Sequence, residues 1–250
     1  MSSTKKILAT LPAAFLAASV AYTGSATAAD LLVDPPVYEA PEIVTKSSGG
    51  WYLRGDITYD FSEVKDPSYR NTAAWAVGNT AFTSSDTGNA FDLGVGIGYQ
   101  VNEYFRVDLT GEYVFETDFT ATSGCPTTCA AVDNSSFTTT KILANAYAEL
   151  GNYSGFTPYV GGGLGGAYVE WKDLVGAGNE PGNSEWRFAW ALHAGVSYDL
   201  TESFKLDVGY TYSHIHGGTP FDSKGTTPNL FFDEGIASHV VRAGIRYQIW

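Results

Sequence analysis

The stretch WRFAWALHAGVSYDL (Trp186–Leu200), then TES (201–203), then FKLDVGYTY (Phe204–Tyr212), decides the fold. Trp186, Phe188, Trp190, Leu192, Ala194, Val196, Tyr198 and Leu200 take alternate places in the first run. Arg187, Ala189, Ala191, His193, Gly195, Ser197 and Asp199 lie between them. Past the three-residue break, Phe204, Leu206, Val208, Tyr210 and Tyr212 alternate with Lys205, Asp207, Gly209, Thr211 and Ser213. A period of two means a strand, and two such runs across a short break mean an antiparallel hairpin. The apolar face has aromatics at both ends and small aliphatics between, while the other face mixes small residues with full charges. That suits a strand with lipid outside and a polar interior. A soluble sandwich is the competing reading, and the rest of the chain decides between them.

The chain opens with two lysines, Lys5 and Lys6, a mostly apolar run from Ile7 to Val20, and the small-x-small triplet Ala26-Thr27-Ala28. This pattern predicts a secretory signal peptide over residues 1–28. The apolar run is too short for a spanning helix, and no other segment approaches ~20 continuous apolar residues. The mature chain is then either soluble and exported or a barrel, since only helices and closed barrels satisfy their backbone groups in lipid. Without Lys5 and Lys6 the 14 basic residues become 12 against 27 acidic ones, and the net charge goes from −13 to −15. Such a balance argues against nucleic acid as a partner. Residues 29–49, with Pro35, Pro36 and Pro41 and no clear period, predict an extended periplasmic tail.

From residue 50 the alternation returns repeatedly. Strands are expected at about 50–61, 90–101, 104–117, 138–151, 157–171, in the two arms of the opening hairpin, and at 237–250. The fifth is so glycine-rich that its parity stays open. Connections alternate between long (62–89, 118–137, 172–185, 215–236) and short (around Asn102-Glu103, Asn152–Phe156 and 201–203). Sorting of this kind is what an eight-stranded antiparallel up-and-down transmembrane β-barrel produces, with four long outer loops and three periplasmic turns. A sandwich has no reason to sort its loops. The barrel domain is expected to fill residues 50–250.

At this point the mature sequence resembles the small outer-membrane β-barrel family of Gram-negative bacteria. The resemblance is strongest to the alphaproteobacterial porin-like major surface proteins. It is carried by the Pro-rich start after Ala28, GWYLRGDITYDF (50–61), PYVGGGLGGAYV (158–169) and the aromatic last residue, Trp250. Outward parity ends at Ile249, so Trp250 stands one residue out of phase with the terminal aromatic common in such barrels. The resemblance implies an outer-membrane location, contact with lipid and lipopolysaccharide, insertion by the barrel-assembly machinery, and loops that can meet a host surface or phage.

Parity puts Arg54, Asp56, Asp60, Asp92, Arg106, Asp108, Glu112, Glu116, Lys141, Glu149, Arg187, His193, Asp199, Lys205, Asp207, Arg242 and Arg246 inside. An eight-stranded barrel is just wide enough for side chains to fill it, and charges kept from water must pair. These residues form either a salt-bridged plug or a narrow path gated by an ion pair. Cys125 and Cys129, in one loop of an exported protein, are expected to form a disulfide. His214 and His216 share a face but lack a third metal ligand nearby in sequence. Ser213–His214 and Ser238–His239 have opposite parities and diverge, so no nucleophile–base pair is selected. No cofactor is implied. Three functions stand: a structural surface protein for envelope integrity, surface contact or adhesion; a small passive channel for ions and small solutes; and, with least support, a lipid-A-modifying enzyme.

Overall fold

A computed structural model describes residues 49–71, 78–81, 84–124, 130–176, 180–221 and 229–249. The expected signal peptide, nearly all of the Pro-rich tail, Cys125, Cys129 and Trp250 lie outside the described residues, and with them the expected disulfide and the terminal phase shift.

The described strands are β1 (Gly50–Lys65), β2 (Ser68–Asn71), β3 (Gly78–Ala81), β4 (Ser84–Thr87), β5 (Asn89–Gln100), β6 (Phe105–Gly124), β7 (Ala130–Glu149), β8 (Phe156–Trp171), β9 (Ser184–Asp199), β10 (Phe204–His216), β11 (Asn229–Phe232) and β12 (Gly235–Ile249). Eight of them, β1, β5, β6, β7, β8, β9, β10 and β12, pair antiparallel in a ring; β1 joins β12, and the remaining pairs follow chain order. The barrel is closed, so its spanning strands present no open edge to lipid.

Alternation sorts the faces. Along β5, Phe91, Leu93, Val95, Ile97 and Tyr99 are exposed, whereas Ala90, Asp92, Gly94 and Gly98 are buried. Aromatic pairs ring both ends of the outer surface: Trp51–Tyr99, Phe156–Tyr198 and Phe204–Tyr247 at the short-turn end, and Tyr59–Phe91, Tyr113–Phe115 and Trp190–Tyr212 at the other. Tyr99 and Phe91 are eight residues apart on β5. At ~3.4 Å per residue and a tilt of about 40° that is roughly 21 Å of height, close to the ~25 Å apolar band of outer-membrane barrels.

The short connections are built by side chains and φ. The Asn102 carboxamide oxygen accepts from the N–H groups of Tyr104 and Phe105 at 2.8 and 2.9 Å. The Thr201 hydroxyl does the same for Ser203 and Phe204 at 3.3 and 3.0 Å. Both are side-chain mimics of a turn. Between Tyr153 and Phe156, Ser154 and Gly155 take φ of 56° and 92°, the two positive angles of a type I′ hairpin turn.

Two expectations need correction. Within the expected connection 118–137, β6 and β7 run on as one ladder to Gly124 and Ala130. Within 62–89, β1 extends to Lys65, β4 adds to β6, and β2 pairs with β3 and β11 in a small second sheet. Above the membrane no lipid demands an apolar outer face, so hydropathic alternation fades while the backbone ladder continues.

Lumenal tyrosines lie against glycines of neighbouring strands. A Cβ on Gly98 would stand 2.3 Å from the Tyr52 ring and 2.7 Å from Asp108 Cβ, and one on Gly161 would stand 2.5 Å from the Tyr147 ring. Gly55, facing lipid, has nothing within 4 Å. Gly98→Ala should therefore cost about 1–3 kcal/mol through overpacking, while Gly55→Ala should cost nothing measurable. Urea titration of protein refolded in lipid vesicles reads both, and equal effects would contradict this packing.

Candidate functional site: the lumen and its outer end

The charged core starts at the short-turn end. Arg106 Nε reaches Glu149 at 3.0 Å, and its guanidinium lies 3.7 Å from the Tyr147 ring centroid. Arg246 bridges Glu149 (3.2 Å) and Asp207 (3.0 Å), and Ser197 donates to Asp207. Arg54 forks onto Asp56 at 2.8 and 2.9 Å and reaches Asp108 at 2.8 Å. Tyr52 and Asn145 also donate to Asp108, at 3.0 and 2.8 Å. Arg242 stands 3.9 Å from Asp56 and donates to Tyr159 at 3.3 Å. Planar guanidiniums suit this setting because they can fork onto carboxylates and stack on aromatic rings at once.

Above this tier, Lys141 is 3.0 Å from Glu112 and 3.8 Å from Asp92. His193 is buried and shares hydrogen bonds with Thr211 (2.9 Å) and Asn145 (3.2 Å). Of the lumenal residues named from parity, Lys205 sits at the mouth, half-buried beside Asp199.

Glu116 was placed inside by parity, and the structure overturns that. Pairing jumps from Val114↔Thr139 to Thr117↔Phe137, so β6 carries one extra residue there. Such a bulge flips every later side chain. Glu116 turns outward, half exposed, and pairs with Lys172 at 2.7 Å. Thr117, Phe119 and Ala121 turn inward instead.

That flip helps build what parity did not reveal. The outer part of the interior is apolar: Val64, Phe119, Phe137, Val169, Trp171, Leu174, Ile215, Phe221, Phe231 and Ile236 form one buried cluster. Trp171 packs against Phe119 (5.3 Å), Phe137 (4.6 Å) and Phe221 (5.4 Å). Two small cavities, one beside Phe119, Trp171 and Phe231 and one beside Val114, Phe137 and Ile236, each have a volume of about 10 Å³, room for about one water molecule. Arg187 forks onto Asp233 at 2.9 Å through both carboxylate oxygens and also pairs with Glu185 at 2.9 Å. Burial raises the Asp233 carboxyl above its ordinary range, and the Arg187 guanidinium opposes that shift. Phe137 lay in the expected connection 118–137 and was given no face. Asp233 lay in an expected loop too.

His214 and His216 stack together on the outer face with Trp190 and Phe188. Among the described residues, no three His, Cys, Asp or Glu side chains are set to hold a metal ion. Ser213 and Ser238 are buried while His214 and His239 face outward, so neither pair can act as nucleophile and base.

A closed eight-stranded barrel, lipid-facing outside and filled with paired charges, defines an outer-membrane β-barrel protein, and comparison with known proteins agrees. The outer membrane protein beta-barrel domain family matches residues 13–231, and the chain belongs to it. It is an outer-membrane protein. A Brucella suis protein of uncharacterised function is 34% identical over 90% of this chain and 93% of its own length. A Rickettsia rickettsii protein named as a candidate adhesin is 27% identical over 80% of this chain and 88% of its own. The crystal structure of OprG from Pseudomonas aeruginosa superimposes with a TM-score of 0.52 at 15% identity, covering 81% of this chain and 97% of that one, a likeness of fold.

Proposed function

We propose that this protein is a non-enzymatic, structural surface protein whose barrel anchors an ordered contact platform above the outer membrane. The observation carrying this reading is the filled interior, charged below and apolar above, continued outward by paired strands. Val132 and Thr122 still face each other eight residues beyond Thr140, the partner of Tyr113 at the outer girdle. Cross-links tie the outer segments together: Ser135 donates to the Lys172 carbonyl (2.8 Å), Asn134 bridges Val175, and Gly182 bridges Phe221. A prearranged surface loses less entropy on binding than mobile loops do. The name of the Rickettsia relative supports adhesion, with a host surface as partner and lipopolysaccharide as surroundings.

Planar-bilayer recording tests the structural reading against the channel reading. Refolded protein is expected to give no large steady conductance, because eight strands leave little lumen and side chains fill it. Large, steady currents from the wild-type chain would remove the structural reading and install the porin one. Adhesion is read separately. A non-adherent bacterial host expressing the chain should bind cultured epithelial cells, and changing the exposed pair Val132 and Val175 to Asp should reduce that binding. Unchanged binding would remove this platform as the contact surface.

A further inference from the structure

The outer aromatic girdle does not stop at one height. On β5 the outward apolar residues end at Phe91, and on β1 they end at Phe61, with Glu63 and Lys65 beyond it. On β9 they run on from Trp190 through Phe188 to Trp186, and Tyr168 of β8 stands across the ladder from Trp186. Four residues at ~3.4 Å each, tilted by about 40°, carry Trp186 roughly 10 Å above Trp190, past the apolar band and among lipid headgroups. There Trp186 is 60% exposed and Phe188 50%. The rings lie side by side. Trp190 meets His214 at 5.8 Å, His214 meets His216 at 5.4 Å, His216 meets Phe188 at 5.3 Å, and Trp186 meets Tyr168 at 5.4 Å.

A second observation falls beside this panel. Gly235 of β12 stands in one ladder row between Lys65 of β1 and His216 of β10. It takes a φ of 130°, and a Cβ there would stand 2.9 Å from His214 Cε1. The glycine therefore leaves a notch between its two neighbours, and the His214 ring leans over it. Lys65 is close enough to act electrostatically on His214. An ammonium and two imidazoles thus surround one gap in a chain of net charge −13. Lys65 also pairs with Glu63 at 2.5 Å, but both side chains are exposed, and an exposed pair is weak enough to be exchanged for another partner.

We propose that this panel binds the phosphorylated sugar headgroup of a glycolipid in the outer leaflet. The sugar lies against Trp186, Tyr168 and Phe188, and the phosphate sits at the notch, held by Lys65, His214 and His216. Exposed apolar patches mark interaction sites. Ring faces are electron-rich and attract positively polarised C–H groups, which sugars present. Phosphate oxygens accept strong hydrogen bonds from ammonium and imidazole N–H groups. Direction selects the occupant. These side chains carry the outward parity of the lipid-facing rows below them, so they face sideways along the membrane and meet what lies beside the barrel. The proposal rests on the outer-membrane location, and it makes lipopolysaccharide a ligand held at one place on the barrel.

The test uses the full mature chain refolded in three kinds of vesicle: phosphatidylcholine alone, phosphatidylcholine with lipid A, and phosphatidylcholine with phosphatidylglycerol at matched surface charge. Lipid A supplies the phosphorylated sugar, and phosphatidylglycerol supplies negative charge without it. Urea midpoints are measured in each, and every chain is compared with itself across the lipids. The wild-type midpoint should rise with lipid A well beyond its rise with phosphatidylglycerol. Trp186→Ser and His216→Ser, changes at exposed positions, should each lose most of that excess. If one variant does not refold, the other decides. Equal midpoints with lipid A and phosphatidylglycerol overturn the proposal and assign the effect to charge alone. A full excess in both variants overturns it by moving the contact elsewhere on the barrel. Sedimentation reads the competing occupant. A dimer that Trp186→Ser dissociates would seat a second copy of the chain on the panel, and that result overturns the proposal too.

Discussion

Replacing Arg246 with methionine is expected to cost about 3–5 kcal/mol, the loss seen when one partner leaves a buried ion pair. Arg246 is 1% exposed. It holds Asp207 at 3.0 and 3.2 Å, Ser197 at 2.7 Å and Glu149 at 3.2 Å. Its guanidinium also covers the Tyr52 ring at 5.4 Å. Methionine refills much of the volume and supplies no charge. Asp207 would keep only the Ser197 hydroxyl, whereas Glu149 would keep Arg106. The damage therefore concentrates on Asp207, and Asp207→Asn should rescue part of it. A double-mutant cycle measured by urea unfolding in vesicles should show strong coupling, because the two residues share one network. Additive costs would mean that the network is not a cooperative plug. Glu112→Gln should cost less than the Arg246 change, because Lys141 retains Asp92 at 3.8 Å.

The second large effect lies on the lipid face. Val95 is 69% exposed and sits midway between Phe91 and Tyr99. Val95→Arg should cost about 2–4 kcal/mol, the price of a cation at the bilayer midplane. Val132 is comparably exposed, at 54%, but lies beyond the outer girdle. Val132→Arg should stay within about 0.5 kcal/mol, as ordinary surface changes do. Vesicle refolding under urea compares the two, and equal penalties would place the membrane elsewhere on the barrel.

The eight membrane strands were legible because lipid imposes a strict period. Trp51, Leu53, Ile57 and Phe61 had to face out, so Arg54, Asp56 and Asp60 had to face in, and the burial pattern of β1 follows that division. Tyr147 was placed inside by the company of Lys141, Asn145 and Glu149, and there it lies under Arg106. The glycine-rich β8 left its parity open; its inward residues, Tyr159, Ala167, Val169 and Trp171, emerge from pairing with β7 and β9. Glu116 failed because one inserted residue is invisible in a polar stretch and reverses all that follows. The strand extensions within the long connections went unread because hydropathy reports the surroundings of a strand, and above the membrane its outer face meets water instead of lipid.

The sequence by itself determined the class of fold, the strand count, and the alternation of long and short connections. Each follows from a local rule of period two acting against lipid. Only the tertiary structure decided which acid meets which cation, and that Lys141 faces both Glu112 and Asp92. Only the structure decided that the outer interior is closed by Phe119, Phe137, Trp171 and Phe221. The reason is register. Parity assigns a side chain to a face, but its neighbours come from strands far apart in sequence, and their relative stagger is fixed only when the ring closes.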